Sequence, residues 1–100
     1  MEDIVLIKKC LNGQKDAFEF LVKKYKNLVY SIALNTLVNK NDAADVTQEV
    51  FLKAWANLSS YNPEFTFKTW IAKITVNHCI NLNYKSRRIT AWDDEEMEKL

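Results

Sequence analysis

The sequence predicts an all-α fold, a compact helical bundle of three main helices plus a short N-terminal helix. The 100 residues include a single glycine and a single proline, which is too little turn chemistry for a many-stranded β fold. Apolar residues also recur at three-and-four spacing along most of the chain, as in amphipathic helices. Because 48% of the residues are hydrophobic, one domain of this length can bury a core.

The first two helices follow from this periodicity. A short helix is predicted over residues 2–11, and Gly13 is predicted to end it because glycine adopts a left-handed backbone at little cost. The second helix begins near Asp16 and keeps helical spacing for about twenty residues, as far as Leu37.

The third helix begins after the sequence NKND at 39–42, which interrupts the periodicity. Asn41 or Asp42 is predicted to cap it by accepting hydrogen bonds from its free backbone N–H groups. Acidic residues in the first turn also suit the helix dipole. The helix should end near Leu58.

The fourth helix follows the loop SSYNPEF at 59–65, in which Asn-Pro is a turn signal. Thr66 is predicted to cap the helix, which should run to about Ser86. The last residues, 89–100, become abruptly acidic and are read as a tail that is a linker, a short helix or partly disordered.

Charge is segregated along the chain although the net charge is only +1. Residues 59–90 carry five basic residues and one acid, whereas residues 41–58 carry three acids and one lysine. No apolar run approaches the roughly 18 residues of a membrane span, and no signal-peptide pattern opens the chain. We therefore expect a cytoplasmic protein without membrane insertion.

The sequence offers little for catalysis or metal binding. The single histidine, His78, lies on the apolar side of its helix without a partner at metal-ligand spacing, and we read it as a half-buried core residue. A carboxylate metal site in a helical bundle would need Glu-x-x-His motifs, which are absent. Cys10 and Cys79 are read as small buried residues, with a disulfide left open. We expect no enzymatic activity and no cofactor.

The helix that contains DVTQEVFLKAW keeps its first two turns acidic on the side opposite the apolar stripe. Asp42 and Asp45 are explained by capping and the helix dipole. Gln48 and Glu49 lie further into the helix, where that explanation fades. An ordinary solvated surface and a docking edge both remain open for this acidic opening.

The fourth helix has a polar side that suits nucleic acid. Lysine and arginine attract phosphates, and asparagine and threonine hydrogen-bond base edges. The aromatic residues of the preceding loop, next to Asn62, are the kind on which unpaired bases stack. The alternative is a solvated helix side with the aromatic residues in the core. The candidates are Tyr61, Asn62, Lys68, Thr69, Lys73, Asn77, Asn81 and Lys85, with Arg87 and Arg88 beyond them.

Three segments together resemble a known family. DAADVTQEVFLKAWANL and, after a short loop, FKTWIAKITVNHCINL resemble region 2 of bacterial RNA polymerase sigma factors, and the extracytoplasmic-function subgroup in particular. DAFEFLVKKYKNLVYSIAL is similar to the leading helix of that family. The resemblance covers residues 14–88, and its most specific feature is the spacing of D-x-x-Q-E from F-K-T-W.

The resemblance implies a docking partner. In this family the D-x-x-Q-E helix docks on the coiled coil of the polymerase β′ subunit. Asp45, Gln48 and Glu49 would then meet basic and polar groups of β′, with Asp42 and Lys53 at the rim.

The resemblance also implies recognition of promoter DNA. In the family, the loop and the last helix bind the minus-ten element as a melted single strand, the non-template one, with one base flipped into a pocket of the loop. The loop at 59–66 and the exposed side of residues 68–81 match those positions here. Primary sigma factors carry adjacent tryptophans where this chain has Lys73 and Ile74, so we expect weaker melting.

The expected domain organisation is a sigma region 2 helical domain over residues 1–88, followed by an acidic tail or the start of an interdomain linker over residues 89–100. The resemblance further implies a second domain, region 4, for which 100 residues leave no room, so we expect a fragment of a longer protein. It also implies an anti-sigma factor as a partner. The alternatives are a stand-alone helical DNA-binding domain and a polymerase-interaction module without promoter-melting activity.

Overall fold

The computed structural model describes the backbone of residues 2–90 and the side chains of residues 2–82. This part of the chain is an α-helical bundle with a short first helix and three longer ones, as predicted, and it contains no strand. The helices are α1 (Asp3–Leu11), α2 (Lys15–Leu37), α3 (Lys40–Ala56) and α4 (Phe67–Thr90), with a 3₁₀ turn at Leu58–Ser60 after α3.

Helix α2 is the centre of the bundle, because it packs against α1, α3 and α4. Phe18 of α2 meets two rings of α3 edge-on, with centroid distances of 6.4 Å to Phe51 and 5.1 Å to Trp55. Further along α2, the ring of Tyr25 lies 5.4 Å from that of Phe67 at the start of α4. Aromatic contacts thus fix α3 and α4 on one central helix.

The ends of α1 and α2 use the same left-handed backbone conformation with different residues. Gly13 has a φ of +94°, which confirms the predicted end of α1. Val38 has a φ of +57° after α2, and its N–H donates to the carbonyl oxygen of Leu34 at 2.8 Å. A β-branched residue is rare in this conformation, so nothing in the sequence signalled this turn.

The predicted cap of α3 was wrong by two or three residues. Asn39 is the cap, and its Oδ1 accepts from the backbone N–H of Asp42 at 3.0 Å. Because Val38 turns the chain immediately before it, the helix starts at Lys40. Asn41 and Asp42 therefore lie inside the first turn, where their N–H groups need an acceptor.

Helix α4 begins as predicted and runs further than predicted. The Oγ1 of Thr66 accepts from the backbone N–H of Thr69 at 3.1 Å, which confirms the cap. The helix continues past Ser86 to Thr90, so the first two residues assigned to the acidic tail are helical. Residues 91–100 lie outside the described residues. None of the described helices combines the length and the hydropathy needed to cross a membrane.

Candidate functional site

The predicted docking residues share one side of α3. We call Asp42, Asp45, Gln48 and Glu49 the acidic stripe; all four side chains are exposed, as is that of Lys53 one turn beyond Glu49. With 100° between successive residues, these positions fall on the side of α3 opposite its buried residues Ala43, Val50 and Ala54. Three carboxylates therefore face solvent along about two turns of helix.

One end of the acidic stripe is tied to α4 through His78. The Oε1 of Glu49 lies 2.8 Å from Nε2 of His78, and the Nζ of Lys53 lies 3.0 Å from Nδ1 of the same ring. The His78 side chain is only 15% exposed, whereas that of Glu49 is 54% exposed. The half-buried histidine read from the sequence is confirmed, and both of its nitrogens have partners on α3.

These contacts define the tautomer of His78. A lysine ammonium group has no lone pair and only donates, so Nδ1 must accept from Lys53. The tautomer that fits both contacts therefore carries its proton on Nε2, which donates to Glu49. The ring thus joins Lys53 and Glu49 of α3.

An apolar groove lies beside the other edge of the acidic stripe. Its volume is about 620 Å³, and it runs between α2 and α3 along Phe18, Val22 and Trp55. Gln48 and Leu52 also line it, and Leu52 is 70% exposed. The sequence analysis did not predict this groove. A local signal for it exists, because Leu52 is an apolar residue on the polar side of α3.

The two loop residues predicted to bind DNA, Tyr61 and Asn62, both make contacts that stabilise the conformation of the loop. Tyr61 is half-buried, with its ring 5.3 Å from that of Trp70 and 6.1 Å from that of Phe67, and its hydroxyl donates to the carbonyl oxygen of Phe65. The Oδ1 of Asn62 accepts from the N–H of Glu64 at 2.9 Å, as in an Asx turn. The –NH₂ group of Asn62 is the remaining donor of that side chain.

The polar side of α4 is exposed as predicted. The exposed candidates are Lys68, Thr69, Lys73, Asn77 and Asn81, whereas the side chain of Lys85 lies outside the described ones. Thr69 also contacts the cap, because its hydroxyl lies 3.0 Å from that of Thr66. Val76 and Ile80, which are 40% and 54% exposed, lie among these polar residues. The surface of α4 therefore combines polar and apolar side chains, and the apolar ones were not predicted from the sequence.

A second cavity, of about 490 Å³, lies between the start of α1 and the loop before α4. Its lining includes Asp3 and Lys24 from the helices and Tyr61 and Phe65 from the loop. The Nζ of Lys24 donates to Oδ1 of Asp3 at 2.8 Å, and the hydroxyl of Tyr25 donates to Oδ2. Sequence reasoning missed Asp3 and Lys24, because no local pattern connects residues so far apart.

The pKa values of Tyr61, Tyr25 and Lys24 are raised by burial, by Asp3 or by both. Burial raises the pKa of the Tyr61 hydroxyl, and the negative charge of Asp3 raises it further. Burial and the hydrogen bond to Asp3 likewise raise the pKa of Tyr25. The hydrogen bond to Asp3 is also the main cause that raises the pKa of Lys24. Asp3 thus acts electrostatically on both tyrosines and on the lysine.

The remaining titratable candidates are the cysteines. Cys10 and Cys79 are both buried and unpaired, and burial raises the pKa of each thiol. Within the part of the chain whose side chains are described, no three His, Cys, Asp or Glu residues come together as a metal site.

Comparison with known proteins identifies similar chains. A family model described as Sigma-70 region 2 matches residues 21–89. The ECF RNA polymerase sigma-E factor of Haemophilus influenzae is 38% identical over 89 residues, which cover 88% of this chain and 47% of that protein. The ECF RNA polymerase sigma factor SigW of Bacillus subtilis is 35% identical over 75 residues, or 75% of this chain and 40% of that one.

A solved structure is also similar to this chain. It is the NMR structure of an engineered region 2 of sigmaE in complex with GTAAAA, with a TM-score of 0.79 and 36% sequence identity. The match covers 88% of this chain and 93% of that one. The chain spans about half the length of the curated relatives it matches.

Proposed function

Because the chain belongs to the Sigma-70 region 2 family, we propose that it is the domain by which an extracytoplasmic-function-type sigma factor docks on RNA polymerase. We propose that the same domain recognises the promoter minus-ten element and helps to melt it. Proteins of this family are transcription initiation factors and not enzymes. The observation that carries the proposal is the match, over nearly the whole length of both chains, to a region 2 solved in complex with GTAAAA.

The surface that we propose binds DNA consists of the loop at 59–66 and the exposed side of α4. Lys68 and Lys73 supply cations for phosphates, and Asn77 and Asn81 supply amide groups for base edges. The exposed apolar side chains between them, Val76 and Ile80, suit contact with bases better than contact with water. A surface with few cations and two such apolar positions favours an unpaired strand over a duplex.

The polymerase surface of the proposal is the acidic stripe with the adjacent groove. Exposed carboxylates steer and orient a basic partner, and the exposed Leu52 offers an apolar anchor between Gln48 and Glu49. The proposed partner is the coiled coil of the β′ subunit. Lys53 and Asp42 lie at the two ends of this surface.

The DNA assignment is tested by fluorescence anisotropy with labelled single-stranded GTAAAA, its complementary strand and the duplex. We expect binding to the single strand and little binding to the duplex. Replacing Asn62 and Lys73 by alanine should weaken single-strand binding, whereas Lys23→Ala, which removes an exposed lysine of α2, should not. Tight duplex binding with a steep salt dependence would instead support a stand-alone DNA-binding domain.

The polymerase assignment is tested by pull-down of a β′ coiled-coil fragment. Gln48→Lys combined with Glu49→Lys should abolish binding while the helical circular dichroism persists. A matched control is Asp16→Asn with Glu19→Lys, which makes the same total change in charge at two exposed acids of α2. Undiminished pull-down by the α3 variant would contradict the docking assignment. Loss of binding by both variants would show a general charge effect instead.

An anti-sigma factor is the second protein partner that we propose, because a protein covering the acidic stripe would block polymerase docking. The test is competition between such a protein and the β′ fragment for this chain. Simultaneous binding of both would contradict the proposal. We also propose that the chain acts in the cytoplasm.

A further inference from the structure

One side of α4 exposes apolar side chains and a lysine together. With about 100° between successive residues, Lys73, Val76, Asn77 and Ile80 fall within about 100° of one another around the helix, and we call these four residues the α4 patch. Val76 is 40% exposed and Ile80 is 54% exposed, and Lys73 is exposed beside them. Among the described side chains, Lys73 takes part in no ion pair. The α4 patch therefore combines a cation with apolar area.

Residues 91–100, with the sequence AWDDEEMEKL, have the complementary chemistry, and we call them the acidic segment. They contain five acids and one lysine, which give a net charge of −4. Carboxylates attract the ammonium group of Lys73. Three large apolar residues of the segment are able to remove Val76 and Ile80 from water; they are Trp92, Met97 and Leu100. The acidic segment thus carries both kinds of group that fit the α4 patch.

The connection to α4 brings the acidic segment within reach of the patch. Helix α4 ends at Thr90, and the segment follows directly. At a rise of 1.5 Å per residue, Ile80 lies about 15 Å and Lys73 about 25 Å back along the helix from Thr90. Ten extended residues span about 33 Å, so the segment reaches both positions even after a few residues are used to reverse its direction.

The apolar groove between α2 and α3 suits the acidic segment less well. Two lysines, Lys15 and Lys26, line this groove, but Gln48 of the acidic stripe lines it too. Five more carboxylates beside the three of the acidic stripe would repel them. Helix α4, by contrast, contains five basic residues and no acid. Charge and chain length therefore both favour the α4 patch.

We propose that the acidic segment folds back along α4, covers the α4 patch and competes there with the DNA strand. The competition rests on the proposed function, because the patch lies on the surface proposed to bind DNA. Phosphates and carboxylates compete for Lys73, and bases and the apolar residues of the segment compete for Val76 and Ile80. A tethered segment acts at an effective concentration on the order of millimolar. The free chain thereby restricts access to its own DNA surface, and a strand binds by displacing the segment.

The first experiment locates the acidic segment without DNA. A nitroxide spin label is attached to the full chain at Lys99→Cys, where it reacts selectively because Cys10 and Cys79 are buried. The backbone amide NMR signals of residues 73–81 should lose intensity, and an excess of single-stranded GTAAAA should restore it. Unchanged signals over residues 73–81, or a loss confined to the groove at Phe18 and Leu52, would overturn the proposed contact. A loss that GTAAAA does not reverse although the strand binds would overturn the competition.

The second experiment measures the competition by fluorescence anisotropy with labelled single-stranded GTAAAA. Glu95→Gln combined with Glu96→Gln should raise the affinity of the full chain roughly threefold to tenfold, because a weaker tethered competitor is displaced more easily. Asp16→Asn with Glu19→Gln makes the same change in charge at two exposed acids of α2 and should change the affinity by less than about twofold, because salt screens distant charges.

Two outcomes of this comparison would count against the proposals, and they are distinct. Equal gains by the two variants would show an effect of total charge and would overturn the competition by the acidic segment. No binding of the strand by the unmodified chain or by either variant would refute the proposed function. The contact of the segment with the α4 patch is then still decided by the spin-label experiment, which requires no DNA.

Discussion

Replacing His78 by glutamine tests whether the contact between α3 and α4 sets the geometry of the acidic stripe. Glutamine keeps one donor and one acceptor but cannot reach Glu49 and Lys53 in the opposite directions that a ring does. The variant should therefore lose one of the two contacts, which measure 2.8 Å to Glu49 and 3.0 Å to Lys53. Alanine in the same position loses both contacts and the packing of the ring.

The expected magnitude follows from burial. A hydrogen bond to a charged group contributes about 1.5–3 kcal/mol when it is well shielded. The Glu49 side chain is 54% exposed, so solvent screening reduces its contribution to about 1 kcal/mol. We expect His78→Gln to lower the free energy of unfolding by about 1 kcal/mol and His78→Ala by about 2 kcal/mol. For a domain of this size, each kcal/mol lowers the melting temperature by about 4–8 °C.

Thermal denaturation followed by circular dichroism gives these free energies, and a double-mutant cycle with Glu49→Gln isolates the contact. The coupling between the two positions should be about 1 kcal/mol. Additivity within about 0.5 kcal/mol would refute the contact as an energetic link. NMR of the imidazole nitrogens provides an independent check, because the structure requires the proton on Nε2. A proton on Nδ1 would contradict the bridge to Lys53.

The same variant has a consequence for docking that a purely structural role would not produce. If His78 positions Glu49 for the polymerase, His78→Gln should weaken binding of the β′ fragment several-fold, although residue 78 itself is not part of the proposed contact surface. In a Glu49→Gln background the same change should have no further effect. A similar loss in both backgrounds would mean that His78 acts through the stability of the bundle alone.

Two further predictions concern stability. Val38→Asn should raise the free energy of unfolding by about 0.5–1 kcal/mol, because asparagine tolerates the left-handed backbone at φ +57° better than a β-branched residue does; a lower melting temperature would contradict this. Since burial raises the pKa of the Cys10 and Cys79 thiols, the folded state favours the neutral thiols. Their contribution to stability is complete below the unfolded pKa of about 8.5 and is lost as pH rises through the folded values. The free energy of unfolding should therefore fall above about pH 9, and a variant with both cysteines replaced by alanine should show a shallower decline.

The helices could be predicted because their signals are local. Apolar spacing, one glycine and one threonine cap determined α1, α2 and the start of α4 from a few neighbouring residues. The start of α3 could not be placed because three residues in NKND are able to cap a helix. The choice among them depends on Val38, which adopts a conformation that its side chain disfavours. An energetically unfavourable local conformation of this kind leaves no trace in the local sequence.

The candidate site was predictable only where it lies within one helix or one loop. The acidic stripe and the polar side of α4 follow from helical periodicity alone. The contacts of His78 with Glu49 and Lys53, and those of Asp3 with Lys24, join residues more than 20 positions apart. Such pairs depend on how α1 and α3 pack around the rest of the bundle. The structure therefore adds the connections between surfaces, whereas the sequence already contains most of the surfaces themselves.

The small number of cations on α4 links the proposed docking to the proposed DNA recognition. Two lysines with described, exposed side chains, Lys68 and Lys73, would give a salt slope of only about −1.4 on single-stranded DNA, and all five basic residues of the helix about −3.5. Electrostatics alone would therefore hold the strand weakly. Attachment to the polymerase would turn strand binding into an intramolecular step with a high effective concentration. Substitutions in the acidic stripe should then reduce promoter binding by the polymerase complex while leaving the affinity of the free chain for the single strand unchanged.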